Sequence, residues 1–268
     1  MNYRHSYHAG SFADIVKHTV LIALLNALKQ KDTPFCYLDT HAGAGLYELQ
    51  STQAKKTAEY INGVEKLFAA TEKNIPDVIK QLVAIIKQYN SKNSLHCYPG
   101  SPLIAASLLR QQDQLILSEL HPEDYQSLRR NLRYANTPAS IATHHLDAYS
   151  GMKAFLPPKL KRGLVMIDPP FEKTDEFDQI ISALTTALKH WRAGHYMIWY
   201  PIKNPTQVDC FYRDIKKLNV AYFKMQFRLK QKSEENKLTA CGILLINPPW
   251  KLPELLEQVL LPYLEKVL

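Results

Sequence analysis

The 268-residue sequence predicts an α/β chain built on an open, mostly parallel sheet. Short apolar runs such as "QLILSEL" (114–120) and "GLVMIDPP" (163–170) alternate with segments of helical spacing such as "EFDQIISALTTALKHW". Strands apolar on both faces and separated by helices belong to parallel, doubly wound sheets. The runs end in acids or glycines, where an open parallel sheet binds ligands. With 46% hydrophobic and 22% charged residues the chain can bury a large core, which excludes a disordered or fibrous protein.

Ile15, Val16, Thr19, Val20, Ala23, Leu24, Ala27 and Leu28 recur at helical spacing, giving a first helix that closes at "KQKDTP". Its "TVLIALLNALK" stretch is no signal-peptide core, because Asp14, Lys17 and His18 precede it within the same helix. No run of about eighteen apolar residues implies a membrane span. "PFCYLDTHAGAG" is a buried strand running into a glycine turn, followed by strands at 114–120, 139–147, 163–170, 194–201 and 220–229.

Two intervals depart from the pattern. Eighty residues separate Asp39 from Glu119, whereas a βαβ unit needs only about thirty. Roughly fifty surplus residues carry the helical patterns "TAEYINGVEKLFAA" and "IPDVIKQLVAIIKQY". A helical insertion over 48–95 on the ligand side of the sheet is expected, within a main domain of 1–47 and 96–268; an elaborated crossover without function is the alternative. By contrast, only the ten residues "QKSEENKLTA" separate "VAYFKMQFRL" from "CGILLINPPW". A parallel return needs a dozen or more, so these strands form a hairpin with the last one antiparallel.

The strand ends carry the chemistry. Gly43 and Gly45 let backbone approach a ligand, with Asp39 and His41 beside them, although G-x-G alone is an ordinary strand-to-helix turn. Glu119 can accept both ribose hydroxyls of an adenosine-containing cofactor, and Asp147 can meet its exocyclic amine. In "DPPFE", two prolines stiffen the backbone and remove amide donors. That leaves the Asp168 carboxylate and a carbonyl, that of Pro169, to accept the two N–H groups of an aromatic amine, with Phe171 stacking on the ring. The look-alike "INPPW" around Asn247 should end the antiparallel strand at the opposite edge of the sheet, where Trp250 and the prolines are expected to cap the core.

The net charge of +8 favours a polyanionic partner. Tyr3, Arg4, His5, Tyr7, His8, Lys17 and His18 interleave aromatic and basic groups suited to bases and phosphates. His5, His8 and His18 lack an acid or cysteine pair to complete a metal-ligand set, so no metal is expected. "SLRRNLRYA", "PPKLKRG" and "RLKQKSEENK" read first as solvated faces. Cys36, Cys97, Cys210 and Cys241 form no C-x-x-C pair and read as reduced thiols of a cytoplasmic protein.

Together "YRHSYHAGSFADIVKHTVL", "YLDTHAGAG", "YPGSPLIA", "SELHP", "LVMIDPPFE", "WYP" and "INPPWKL" resemble the bacterial large-subunit ribosomal RNA adenine-N6 methyltransferase J family, from residue 3 to about 252. The resemblance implies a class I S-adenosylmethionine-dependent methyltransferase fold, Rossmann-like, with a seven-stranded sheet whose last strand is antiparallel. It also implies a helical insertion and methylation of one adenine, at N6, in 23S ribosomal RNA; a cytoplasmic monomer with no membrane or metal partner is the accompanying expectation. Asp168 matches the family's catalytic acid, with Pro169 and Phe171 in its loop. His18, His41, Ser101, Glu119, Asp147 and Asp168 match cofactor-contacting positions, with Lys17 adjacent. Tyr3 matches a residue linked to RNA contact, and Arg4 and His5 share its segment. Phe171 stands where tyrosine is usual, keeping a stacking ring without the hydroxyl. Ala148 replaces a common glycine and still offers its amide. A DNA-adenine or protein-glutamine N-methyltransferase could use the same loop. A nicotinamide-dependent oxidoreductase could share the glycine turn and strand-end acid, and a non-catalytic RNA-binding protein could share the basic surface.

Overall fold

The computed structural model describes residues 4–70, 74–91, 94–230 and 238–268. In chain order the elements are α1 (Phe12–Lys29), β1 (Cys36–Asp39), β2 (Leu46–Glu48), α2 (Thr52–Thr57), α3 (Val64–Ala69), α4 (Asp77–Gln88), β3 (Cys97–Pro99), α5 (Ser101–Ala106), β4 (Gln114–Glu119) and α6 (Pro122–Asn131). They continue as β5 (Ser140–His145), α7 (Ala148–Phe155), β6 (Gly163–Ile167), α8 (Glu176–His190), β7 (His195–Pro201), α9 (Pro205–Lys217), β8 (Tyr222–Arg228), β9 (Ala240–Ile246), α10 (Leu252–Leu255) and α11 (Leu261–Val267).

Seven strands form one sheet in the order β5-β4-β1-β6-β7-β9-β8. The first five are mutually parallel, while β9 runs antiparallel to both β7 and β8. This is the class I methyltransferase sheet expected from the sequence, and the hairpin inferred from the short final connection is the β8–β9 pair. Burial follows position. β1, β6 and β9 lie between neighbours and are buried at every residue, as strands covered on both faces must be. Edge strand β8 instead alternates, with Met225 and Phe227 inward and Lys224, Gln226 and Arg228 in solvent, so charge protects the free edge.

Ser11 caps α1 by accepting from the Asp14 amide. The helix packs against α4, α5 and β9 and is buried over most of its surface, including the ionisable residues Asp14, Lys17 and His18. Its amino end stands beside the carboxyl ends of the parallel strands.

A two-stranded antiparallel ribbon, absent from the sequence reading, joins β2 to β3 with Tyr47 opposite Tyr98. It brings the ends of the long interval together, and α2, α3 and α4 lie within it. Val64, Leu67, Ile79, Leu82 and Ile86 from this interval share one apolar core with α1, and the Val64 amide donates to the Gly10 carbonyl at 2.8 Å.

The two proline-proline stretches end on opposite edges. Ile246 pairs with Tyr196 near the start of β7. Asn247 next to it donates from Nδ2 to the carbonyls of Arg192 and Gly194, both at 2.8 Å, and accepts from His195 Nδ1 at 2.5 Å. Asp168 instead follows β6 at its carboxyl end. Trp250 does not cap the core as expected: it is 85% exposed, with the Lys251 ammonium 4.3 Å from its ring centroid. The covering is done by Leu252, Leu256 and Leu260, because the chain turns into its last helices immediately after the indole.

Candidate active site

At the carboxyl edge, α1 and the loop after β6 meet in a string of ionisable groups. Lys17 Nζ donates to Asp168 Oδ2 at 2.6 Å and pairs with Asp14 Oδ1 at 2.8 Å. Asp14 Oδ2 accepts from the Gly10 amide at 2.9 Å and lies 3.0 Å from His5 Nε2. Asp14 is 1% and Lys17 5% exposed, so their charges persist only because each is paired. Burial alone would raise the Asp14 pKa, but His5 and Lys17 outweigh it and hold the carboxyl well below its ordinary value. Burial likewise opposes the Lys17 charge, and the facing Asp14 and Asp168 carboxylates reverse that, raising its pKa. A cationic lysine therefore stands permanently behind Asp168. Oδ2 of Asp168 is engaged by it, and Oδ1 has no hydrogen-bond donor among the described residues.

These groups open into a cleft of ≈ 400 Å³. Ten residues singled out in the sequence line it: His5, Lys17, His18, His41, Gly43, Ser101, Glu119, Asp147, Ala148 and Asp168. Glu119, at the end of β4, accepts from the Gly43 amide at 2.7 Å and the His121 amide at 2.6 Å. Burial raises its pKa, and these two bonds oppose the shift. The turn needs glycine at 43: φ is +60°, and a Cβ would lie 2.1 Å from the Tyr47 hydroxyl. Asp147 caps α7 by accepting from the Ser150 amide at 2.9 Å, which places Ala148 at the first helical position.

The two cleft histidines, His18 buried and His41 partly so, are neutral near pH 7. Burial lowers the His41 pKa to about 4 against the pull of Asp168 and Asp147, and lowers that of His18 to about 3. His18 Nδ1 lies 2.7 Å from the Tyr98 hydroxyl. Its Nε2 is buried with no partner among the described residues. If the tyrosine donates to Nδ1, the neutral ring presents an Nε2–H to the cleft. A buried donor without a partner costs about 1–3 kcal/mol and fits a polar ligand acceptor such as a carboxylate. The residues therefore fit an amino-acid-bearing adenosine cofactor: an unpaired donor, a glycine turn and two strand-end acids share one cleft.

Ser101 lines the same wall, and its hydroxyl favours the charged form of Asp39. Asp39 is fully buried and accepts from the Tyr37 hydroxyl at 3.0 Å and the His41 amide at 3.2 Å. Burial raises its pKa to about 6, against those bonds.

Other expected site residues stand elsewhere. Pro170, rather than Pro169, lines the cleft. Phe171 takes φ +48°, an uncommon conformation for a bulky side chain. It does not line the cleft; its ring meets Phe177 at 5.1 Å and Trp199 at 6.1 Å edge-on and borders a neighbouring recess. Arg4 pairs with Glu123 at 2.7 Å and Asp124 at 3.2 Å on the first turn of α6. Tyr3 lies outside the described residues.

Sequence reading missed Asp14 as the hub of the string, although its three-residue spacing from Lys17 on a helix was a usable signal. It also missed Glu176, whose carboxylate accepts from the Tyr149 hydroxyl at 2.5 Å on the cleft wall. Nothing in the chain between those two residues announces that contact. Among the described residues no group of three metal-ligating side chains occurs, and no helix is long and apolar enough to cross a membrane.

The model of the family "RsmJ: Ribosomal RNA large subunit methyltransferase D, RlmJ" matches residues 32–268. The "Ribosomal RNA large subunit methyltransferase J" of Escherichia coli (strain K12) is 38% identical over 269 residues, covering 100% of this chain and 94% of that protein. The protein of the same description from Haemophilus influenzae (strain ATCC 51907 / DSM 11121 / KW20 / Rd) is 40% identical over 270 residues, with the same 100% and 94% coverage. Among solved structures, protein LPL1258 from Legionella pneumophila str. Philadelphia 1 superimposes with a TM-score of 0.88 at 35% identity, covering 97% of this chain and 94% of that one. On its sheet, its strand-end residues and these full-length similarities, the chain belongs to the RlmJ family of large-subunit ribosomal RNA methyltransferases.

Proposed function

We propose that this protein transfers a methyl group from S-adenosylmethionine to the N6 amine of one adenine in 23S ribosomal RNA. The carrying observation is the Asp168 carboxylate at the end of β6, one oxygen held by Lys17 and the other facing a cleft shared with His18, His41, Glu119 and Asp147. Membership of a family described as ribosomal RNA large subunit methyltransferases supports the same substrate.

S-adenosylmethionine, when bound, supplies an electrophilic methyl on sulfonium. Toward it, Glu119 would hold the ribose, Asp147 and the Ala148 amide the adenine, and His18 Nε2 the amino-acid carboxylate. On the substrate side, Asp168 Oδ1 and a main-chain carbonyl of its proline-proline loop would accept the two N–H groups of the amine of an adenine flipped out of its stack. Holding both hydrogens turns the nitrogen lone pair toward the electrophile, and an aryl amine, a poor nucleophile, gains most from such positioning. Asp168 need not be a strong base at the outset, because the amine becomes acidic only as its new bond forms. Lys17 keeps the carboxylate oriented, and Asp168 then takes the proton.

The test is methylation of purified 23S ribosomal RNA by the wild-type protein, with mass-spectrometric mapping of N6-methyladenine. One modified adenine is expected with the wild type and none with a folded Asp168→Asn variant. Normal methylation by that variant would exclude the assignment. Transfer to DNA or to a protein glutamine instead of RNA would replace the substrate class.

A further inference from the structure

Two of the basic stretches read from the sequence lie at strand ends, and topology sends them to opposite edges of the sheet. "PPKLKRG" leads into β6, so Lys159 and Lys161 sit at the amino edge, away from the cleft. "RLKQKSEENK" leaves β8, and of it Arg228, Leu229, Lys230 and the last lead-in to β9 are described. Because β7 and β8 are both antiparallel to β9, β8 runs the same way as β7. Arg228 therefore arrives at the carboxyl edge, on the side of Asp168.

Register sets its level. Cys241 of β9 pairs with Pro201 on one side and Phe227 on the other, and the Ile202 amide donates at 2.9 Å to the carbonyl of Ala240, the partner of Arg228. Lys203 and Arg228 thus flank the same strand end. Ile167 pairs with Ile198, so Asp168 is level with Trp199, and Arg228 stands about 10 Å further out along the strands. Across the sheet β8 is three strands from β6, about 14 Å. The inward Phe227 meets the ring of Phe12 on α1 at 5.8 Å, which ties this end of the sheet to the helix carrying Lys17. Lys203, Arg228 and Lys230 are exposed, and α9 begins beside them with no acid in its first turn. Among the described residues none of the three cations is ion-paired, whereas Lys217 on the same helix is taken by Asp214.

We infer that Lys203, Arg228 and Lys230 form a docking strip for the RNA backbone, holding phosphates that flank the methylated adenine while the base itself reaches down into the cleft. The inference rests on the proposed RNA substrate and adds to it the surface that grips the strand. The height of the strip suits the task. A base that enters the cleft leaves its sugar-phosphate chain above the level of Asp168, where these three cations stand. Cations at phosphates set affinity and register without reading sequence. Lys159 and Lys161, at the other edge of the sheet, have no reach to a strand anchored in the cleft.

The experiment measures affinity for a 23S ribosomal RNA fragment by fluorescence anisotropy across a salt series, a readout that does not depend on turnover. Wild type is compared with Arg228→Glu/Lys230→Glu and with Lys159→Glu/Lys161→Glu, which makes the same change of charge at the amino edge. All four side chains are exposed, so both variants should fold, and Arg228→Gln/Lys230→Gln removes attraction without adding repulsion. The hairpin reversal should weaken binding about tenfold and the glutamine pair about threefold. Each lost single-strand phosphate contact should make the log–log salt slope shallower by about 0.7. The amino-edge pair should stay within about twofold of wild type, because charges beyond a Debye length are screened. S-adenosylhomocysteine affinity and the single-turnover rate at saturating RNA should not move in any of them. Unchanged affinity and slope in both hairpin variants, or equal weakening in the amino-edge pair, overturns the inference while leaving the proposed function standing. A wild type that neither binds nor methylates RNA removes both.

Discussion

Asp168 and Asn247 end similar stretches, an apolar strand followed by two prolines and an aromatic residue, yet they live in different chemistry. Asp168 faces a cleft, one oxygen tied to a buried lysine. Asn247 faces backbone carbonyls that it satisfies itself. A strand's direction decides which end of a sheet its last residue occupies, so a motif read without topology carries half its meaning.

Exchanging the two side-chain types should produce the largest contrast. Asp168→Asn is expected to lower methyl transfer by about 10²–10⁴-fold, and adding Asn247→Asp should restore none of it, as single-turnover assays would measure. Activity rescued by the second change would mean that the two ends communicate.

Next in size is Lys17. Lys17→Met leaves Asp14 buried beside one fewer cation, and breaking such a pair costs about 3–5 kcal/mol. Asp14→Asn/Lys17→Met should recover part of that in urea unfolding, with activity still reduced because Asp168 has lost its anchor. Equal stability of the single and double variants would refute the coupling.

The pH dependence of folding probes the cleft histidines. His18 has a folded pKa of about 3, below an unfolded value of about 6.5. Below 6.5 the unfolded chain therefore takes up a proton that the folded one refuses. Stability is lost as pH falls from 6.5 toward 3, by about 1.4 kcal/mol per pH unit at most for this group. His41, with a folded pKa of about 4, acts in the same sense. Asp39, raised to about 6, acts in the opposite one, its stabilisation being lost as pH rises through that value. His18→Gln should flatten the decline between pH 6.5 and 5 in urea midpoints, and an unaltered slope would refute burial of a neutral imidazole.

At the Asn247 end the effects are structural only. Asn247→Ala removes two donors to backbone carbonyls and an uncommon residue well suited to φ +52°, for about 1–2 kcal/mol with kcat unmoved. Trp250→Ala should fall within about 0.5 kcal/mol, because an indole 85% exposed covers almost nothing. A melting temperature lowered by several degrees would return Trp250 to the core.

The strand ends were legible because a parallel sheet makes strand order and ligand side nearly synonymous, and the ten residues before β9 could only close a hairpin. What stayed hidden depended on distance or on short range. The 151 positions between Lys17 and Asp168 hide an ion pair that periodicity cannot see. The β2–β3 ribbon has three residues a side, too few for alternation to show. Phe171 was read correctly as an aromatic residue of the loop, but its side of the loop is set by one backbone torsion that phenylalanine seldom adopts. Trp250 was judged by its apolarity, whereas the leucines one turn later cover the core.

The string from His5 through Asp14 and Lys17 to Asp168 also bears on how the sequence can drift. Each inner member is neutralised by its neighbours, so any one loss strands a charge in the interior, and the three carboxyl and ammonium positions constitute one unit of inheritance more than three. Drift across them must pass through a partly unpaired intermediate or change two at once. A chain whose Asp168 is wired to its own first helix in this way can vary its surface freely while that helix stays tied to the cleft.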